Sequence, residues 1–209
     1  KAVCPLSAQA SHVAHRSIAI LVMGVYEAMK VSFRNPLVSA FNYTVFLSAR
    51  RRTDLHTMPE SKTTNAEISL RTIGHYEANA ESFRDGTLDH DVSQNVAALL
   101  NHITATPPFQ ILDFGCGPGR DLKTFSDRGH IAVGLDGALR FVEMAREFSG
   151  CEVWLQDFLA LDLPVERFDG VFANAALFHV PSVALADVLA TLRASLKQGG
   201  VLFSSNPRG

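Results

Sequence analysis

The chain has 209 residues, 47% of them hydrophobic, enough to fill the core of one α/β domain with an extra segment, which excludes disorder of the whole. Its net charge of −2 is unevenly spread: residues 1–57 hold seven Lys/Arg against two Asp/Glu, and the remainder holds twelve against nineteen. An acidic main part without a basic stripe argues against a nucleic-acid partner, because phosphate binding takes clustered Lys and Arg, and favours a small-molecule one.

Residues 1–57 are Ser-rich and acid-poor, carry Arg50-Arg51-Arg52 and keep no helical or strand period. They read as an extension outside the fold. One reading is a leader or artefact upstream of a natural start at Met58. Another is a transit-like peptide, which would send the protein to a mitochondrion or plastid rather than leave it cytoplasmic. The longest apolar stretch, residues 17–26, is about half a membrane span, so no membrane partner is expected. Residues 58–108 then form an N-terminal helical lid. Ile73, Tyr76, Ala80 and Phe83 recur at helical spacing until Gly86, predicting one amphipathic helix. A second helix starting near Asp89 or Asp91 places Val92, Val96, Leu99, Leu100 and Ile103 on one face and ends before Pro107-Pro108.

Strands and helices alternate over residues 109–209. Strands are predicted at 110–114, 131–135, 152–155, 170–173 and 201–204, and helices at 120–128, 138–148 and 182–197, the last stopped by Gly199-Gly200. Repeated βα units imply a doubly wound, Rossmann-like parallel sheet with helices on both faces. Cys4, Cys116 and Cys151 lack the paired spacing of a zinc site, and the histidines share no spacing, so no metal site is expected.

The chemistry concentrates in Asp113-Phe114-Gly115-Cys116-Gly117-Pro118-Gly119, between a strand and a helix. A dinucleotide site of the Gly-x-Gly-x-x-Gly type needs its third glycine at position 120, which is Arg120, so the nicotinamide reading loses. With an acid at Asp113 and glycines at 115, 117 and 119, the segment resembles the first motif of class I S-adenosylmethionine-dependent methyltransferases, in their small-molecule branch. The resemblance runs from about Gly74 to Asn206. It implies that Gly115, Cys116, Gly117 and Gly119 pass under the methionine part of S-adenosylmethionine and that Asp113 helps receive its ammonium.

Later strand ends supply the remaining positions. Asp136, with Gly137 after it, ends the second strand, where the resemblance implies that a carboxylate accepts the ribose hydroxyls. Gln156-Asp157-Phe158 resembles the adenine-binding acid and its apolar neighbour, and Asn174 closes the fourth strand. Tyr76, Ala80 and Phe83 match a lid helix of this branch. His179, in Leu177-Phe178-His179-Val180-Pro181, is the one candidate general base, for a hydroxyl or protonated amine acceptor. Plainer readings stand beside these: Asp136 as a helix cap, Asp157 as a turn residue, Tyr76 and Phe83 as core packing, Cys116 as a small residue in a tight turn, Asn174 contributing only its backbone, and His179 as structural.

The function implied is methyl transfer from S-adenosylmethionine to a small-molecule acceptor by in-line displacement, with S-adenosylhomocysteine as product. The segment Asn174-Ala175-Ala176-Leu177 is not the Asn/Asp-Pro-Pro-Tyr type associated with amide or base nitrogens. A catalytically silent S-adenosylmethionine-binding or regulatory protein would carry the same motifs. The family's sheet ordinarily finishes with two further strands, for which residues 206–209 leave no room. The fifth strand is therefore expected to present a bare apolar edge, as in a fragment or truncated chain.

Overall fold

The computed structural model describes residues 64–206 and the backbone of residues 18–21; the leader reading of the rest of residues 1–57 lies outside the described residues. Thr64 opens α1 (Asn65–Ala78) with a capping box, its hydroxyl accepting the Glu67 N–H at 3.2 Å while the Glu67 carboxylate accepts the Thr64 N–H at 2.7 Å. The single helix expected to run to Gly86 is two. Asn79 leaves helical geometry (φ −120°, ψ 18°) and its side-chain amide donates to the His75 carbonyl, so the chain restarts as α2 (Ala80–Thr87). Gly86 lies inside α2, since one glycine costs a helix only about 0.5–1 kcal/mol and does not by itself stop it. α3 (Ser93–Leu100) begins after Asp91, whose carboxylate accepts the Ser93 N–H, and buries Val96 and Leu99.

The α/β core follows as β2 (Gln110–Phe114), α4 (Arg120–Asp127), β3 (Ile131–Asp136), α5 (Leu139–Ser149), β4 (Glu152–Leu155), β5 (Phe168–Asn174), a 3₁₀ turn (Leu177–His179), α6 (Leu185–Ser195) and β6 (Leu196–Ser205). The long helix predicted to reach residue 197 stops at Ser195. Leu196 already pairs with Phe168, and the strand passes through Gly199-Gly200 with a register shift before Gly170 meets Val201. β6, β5, β2, β3 and β4 lie in that order as a parallel sheet.

Side chains alternate across the sheet as strand geometry requires. Ile111, Ala132, Val153, Phe172 and Phe203 face a core closed by α3, α4 and α5. Leu112, Phe114, Val133, Leu135, Val171 and Leu202 face a second core closed by α6 and by Phe158, Leu159, Leu161 and Leu163 of the irregular stretch after β4. Both faces are covered, which makes the sheet doubly wound.

The far edge of β6 is not bare. β1 (Ile18–Leu21), from the part of the chain that the sequence leaves outside the fold, pairs antiparallel with it in the register Ile18↔Ser205 to Leu21↔Leu202. Its four residues have no counterpart pattern around them, which is why sequence reasoning passes over them. Among the described residues no helix is long and apolar enough to cross a membrane.

Candidate functional site

The chain leaves β2 for β3 and β4 on one side, then returns to β5 and β6 on the other. Loops therefore diverge at the carboxyl ends of β2 and β5, the place where open α/β sheets bind ligands. A cavity of about 540 Å³ lies there, roofed by α1 and α2. Of the residues singled out in the sequence, Tyr76, Gly115, Cys116, Gly117, Asp136, Gly137, Asp157, Phe158, Asn174 and His179 line it. Asp113 and Gly119 do not.

Asp113 is 2% exposed, beneath the glycine turn, where a Leu122 N–H faces it. Burial pushes its carboxyl well above the usual range, and the neighbouring Asp121 adds to the rise. Gly119 caps α4 with φ +93°, pressed against the α5 backbone at Ala145. The thiol of Cys116 is raised well above its ordinary pKa, first by burial and then by Asp113, so it is held as an inert thiol.

Asp136, at the end of β3, accepts the Gly117 N–H at 2.9 Å through Oδ2 and the Ala138 N–H at 3.0 Å through Oδ1. It thus caps the turn into α5 and fixes the glycine turn, while burial raises its pKa. Asp157 accepts the Ser69 hydroxyl at 2.7 Å and the Leu159 N–H at 2.9 Å, both through Oδ1. Phe158 beside it stacks on Phe114 with centroids 4.2 Å apart.

The lid meets the far wall through Tyr76, whose hydroxyl lies 2.9 Å from His179 Nε2. Phe83 and Phe141 pack edge-on or tilted against the same tyrosine ring. Burial lowers the His179 pKa and raises that of Tyr76, with Asp136 adding to the latter, so the imidazole is neutral and the phenol protonated near pH 7.

Several polar residues of the site carry no signal that sequence reasoning used. Ser69 lies on the Tyr76 face of α1, two turns earlier, and Arg120-Asp121 directly follow the glycine turn, so adjacency would have found them. Arg120 donates to Asp121 through Nε at 2.7 Å and to the Thr87 carbonyl through Nη1 at 2.7 Å, tying α2 to α4. Asn174 Oδ1 accepts from Asn95 Nδ2 at 3.0 Å and from the Ser205 hydroxyl at 2.5 Å, and its Nδ2 donates to Asp121 Oδ2 at 3.0 Å. The side chain of Asn174 is therefore tied to α3, α4 and β6, with one Nδ2 hydrogen left over. Asn95, in the first turn of α3, is 2% exposed.

A sequence profile described as a methyltransferase domain matches residues 111–200. The ubiquinone biosynthesis O-methyltransferase of Cereibacter sphaeroides (strain ATCC 17025 / ATH 2.4.3) is 36% identical over 129 residues, 56% of this chain and 50% of that protein. The trans-aconitate 2-methyltransferase of Azoarcus sp. (strain BH72) is 31% identical over 112 residues, 53% of this chain and 44% of that protein. The chain spans about half the length of the curated relatives it matches. Its fold is similar to that of Burkholderia thailandensis 1,6-didemethyltoxoflavin-N1-methyltransferase, solved with 1,6-didemethyltoxoflavin and S-adenosylhomocysteine bound. There the TM-score is 0.58 and the identity 23%, over 76% of this chain and 70% of that one.

Proposed function

We propose, on the premise that residues 111–200 match the methyltransferase-domain family, that this chain binds S-adenosylmethionine and transfers its methyl group to a small-molecule acceptor by in-line displacement. The observation that carries the reading is the cavity itself, which collects the glycine turn and two strand-end carboxylates, Asp136 and Asp157, under one lid. That donor set fits the cofactor: carboxylates for a ribose diol and an adenine amine, an apolar ring for the purine, and small residues where backbone must come close.

S-adenosylmethionine supplies a methyl group on a sulfonium that departs as a neutral thioether, so positioning accounts for much of the acceleration. Asp136, held by two backbone N–H groups, has lone pairs left for the ribose hydroxyls. Asp157 Oδ2 accepts the adenine amine, and Phe158 flanks the ring. Gly115 and Gly117 pass backbone beneath the thioether end. Tyr76 closes the cavity against water and holds His179 in one orientation. In the tautomer whose Nε2–H donates to the Tyr76 oxygen, the Nδ1 lone pair of His179 is the one that takes the proton of a hydroxyl acceptor. A small-molecule acceptor agrees with the acidic main part of the chain, and the two relatives above are named for small-molecule methylation.

Calorimetric titration with S-adenosylhomocysteine tests the reading. Wild type binds it and not NAD, and Asp136→Ala weakens binding by about tenfold or more, the loss of hydrogen bonds to a charged group being about 1.5–3 kcal/mol. Unchanged affinity in Asp136→Ala, or a preference for NAD, would sink it. Binding without turnover across a panel of hydroxyl and amine acceptors would favour the silent binder instead.

A further inference from the structure

We propose that Ser69, on the lid helix α1, is a positioning residue for the base of the cofactor. Its hydroxyl sets the Asp157 carboxylate to receive a 6-amino purine, so that closing the lid and reading the adenine are one event. The assignment rests on the reading that the cavity holds S-adenosylmethionine with its adenine at Asp157.

Ser69 is the one buried residue of α1. A buried helical position ordinarily takes an apolar side chain, and a hydroxyl there commonly bonds back to the carbonyl one turn earlier. Thr72 does so, donating to the Ile68 carbonyl at 3.0 Å. Ser69 instead donates outward, to Asp157 Oδ1 at 2.7 Å, 88 residues along the chain. With Ile73 and Tyr76 it falls on one face of α1. Along that face Ser69 meets the loop after β4, Ile73 lies over Gly137 after β3, and Tyr76 reaches His179 after β5. The helix thus crosses the strand ends, and Ser69 is its tie on the adenine side.

Asp157 has two donors within the protein, the Ser69 hydroxyl and the Leu159 N–H, and both are on Oδ1. Two donors on one oxygen fix the plane of the carboxylate, whereas the Leu159 N–H alone would let it turn about that bond. Oδ2 accepts from no described residue and still keeps accessible surface, in a side chain that lines the cavity. A purine 6-amine is a donor and complements such an oxygen, whereas a 6-oxo purine sets a second acceptor against it. Because one of the two anchors stands on α1, the carboxylate is set for an amine only when the lid is down.

The test compares S-adenosylhomocysteine with its 6-oxo analogue, S-inosylhomocysteine, by calorimetry. Wild type is expected to prefer the amine by about tenfold or more, as a hydrogen bond to a charged group allows. Ser69→Ala should shrink that preference about two- to tenfold, the worth of one hydrogen bond, with the loss falling on the amine. Alanine is the better helix former, so the variant keeps α1. In an Asp157→Asn background the same substitution should leave the ratio of the two ligands where Asp157→Asn alone puts it. Equal losses for both ligands in Ser69→Ala, no loss for either, or a shift of the ratio that persists in the Asp157→Asn background would overturn the role of Ser69. Wild type that binds the two equally would overturn the placing of adenine at Asp157, and wild type that binds neither the cofactor reading, each taking this assignment with it.

Discussion

His179 sits half-buried against Tyr76, and burial alone pulls its pKa below the ordinary 6.5. A histidine lowered in this way adds stability that is fully present above the unfolded pKa and lost as pH falls through the folded one. His130, lowered by burial and by Arg128, acts in the same direction. Asp113 and Asp136, raised by burial, act the opposite way, so the expectation is a difference: as pH drops from about 7.5 towards 5 the urea midpoint of His179→Gln gains on that of wild type. Identical slopes for the two proteins would contradict the burial argument. His179, Asp136 and Asp157 were legible because each ends or follows a strand at a repeat interval. Ser69 and Asn95 were not, because what makes them matter is a partner 88 or 79 residues away. Asp113 was legible as conspicuous but not as covered, since burial beneath a turn leaves no mark on the local pattern.

The helices and strands of the core follow hydrophobic period closely, and the departures occur where a polar side chain or a tight contact intervenes. Asn79 splits the lid helix by bonding back to His75, an option that spacing of apolar residues does not register. Gly119 is the other instance. Its place in a ligand-binding motif suggests that the glycine serves the ligand, whereas a Cβ there would lie 2.8 Å from Ala145 Cα, so α4 and α5 impose it. Gly129 has a similar φ of +80° with nothing within 4 Å of a Cβ. Gly129→Ala is thus expected to cost only the left-handed strain, about 1–2 kcal/mol. Gly119→Ala should add about 1–3 kcal/mol of overpacking, because backbone must give way. Urea denaturation of both variants checks this, and equal costs would remove the packing argument.

The doubly wound sheet was legible as a whole because alternating βα units admit few arrangements, and the crossing from one side of β2 to the other creates the cavity. A ligand that fills it touches the lid and the ends of β2, β3, β4 and β5 at once, so binding should stabilise the molecule as a unit. At a hundredfold excess over its Kd, S-adenosylhomocysteine is expected to add about 2.7 kcal/mol. For a protein of this size, at about 2–4 °C per kcal/mol, that raises the thermal midpoint by about 5–11 °C. A midpoint indifferent to saturating ligand would mean that the lid and sheet do not share the site. The edge of the sheet was not legible, since β1 lies far along the chain from β6 and has no period of its own. That pairing has a kinetic side. Residues 18–21 and 202–205 are the most distant partners along the chain in this sheet, so their pairing closes its longest loop and carries the largest closure entropy. Wherever that pairing is open, the β6 backbone is unpaired on one side and accessible to a second chain.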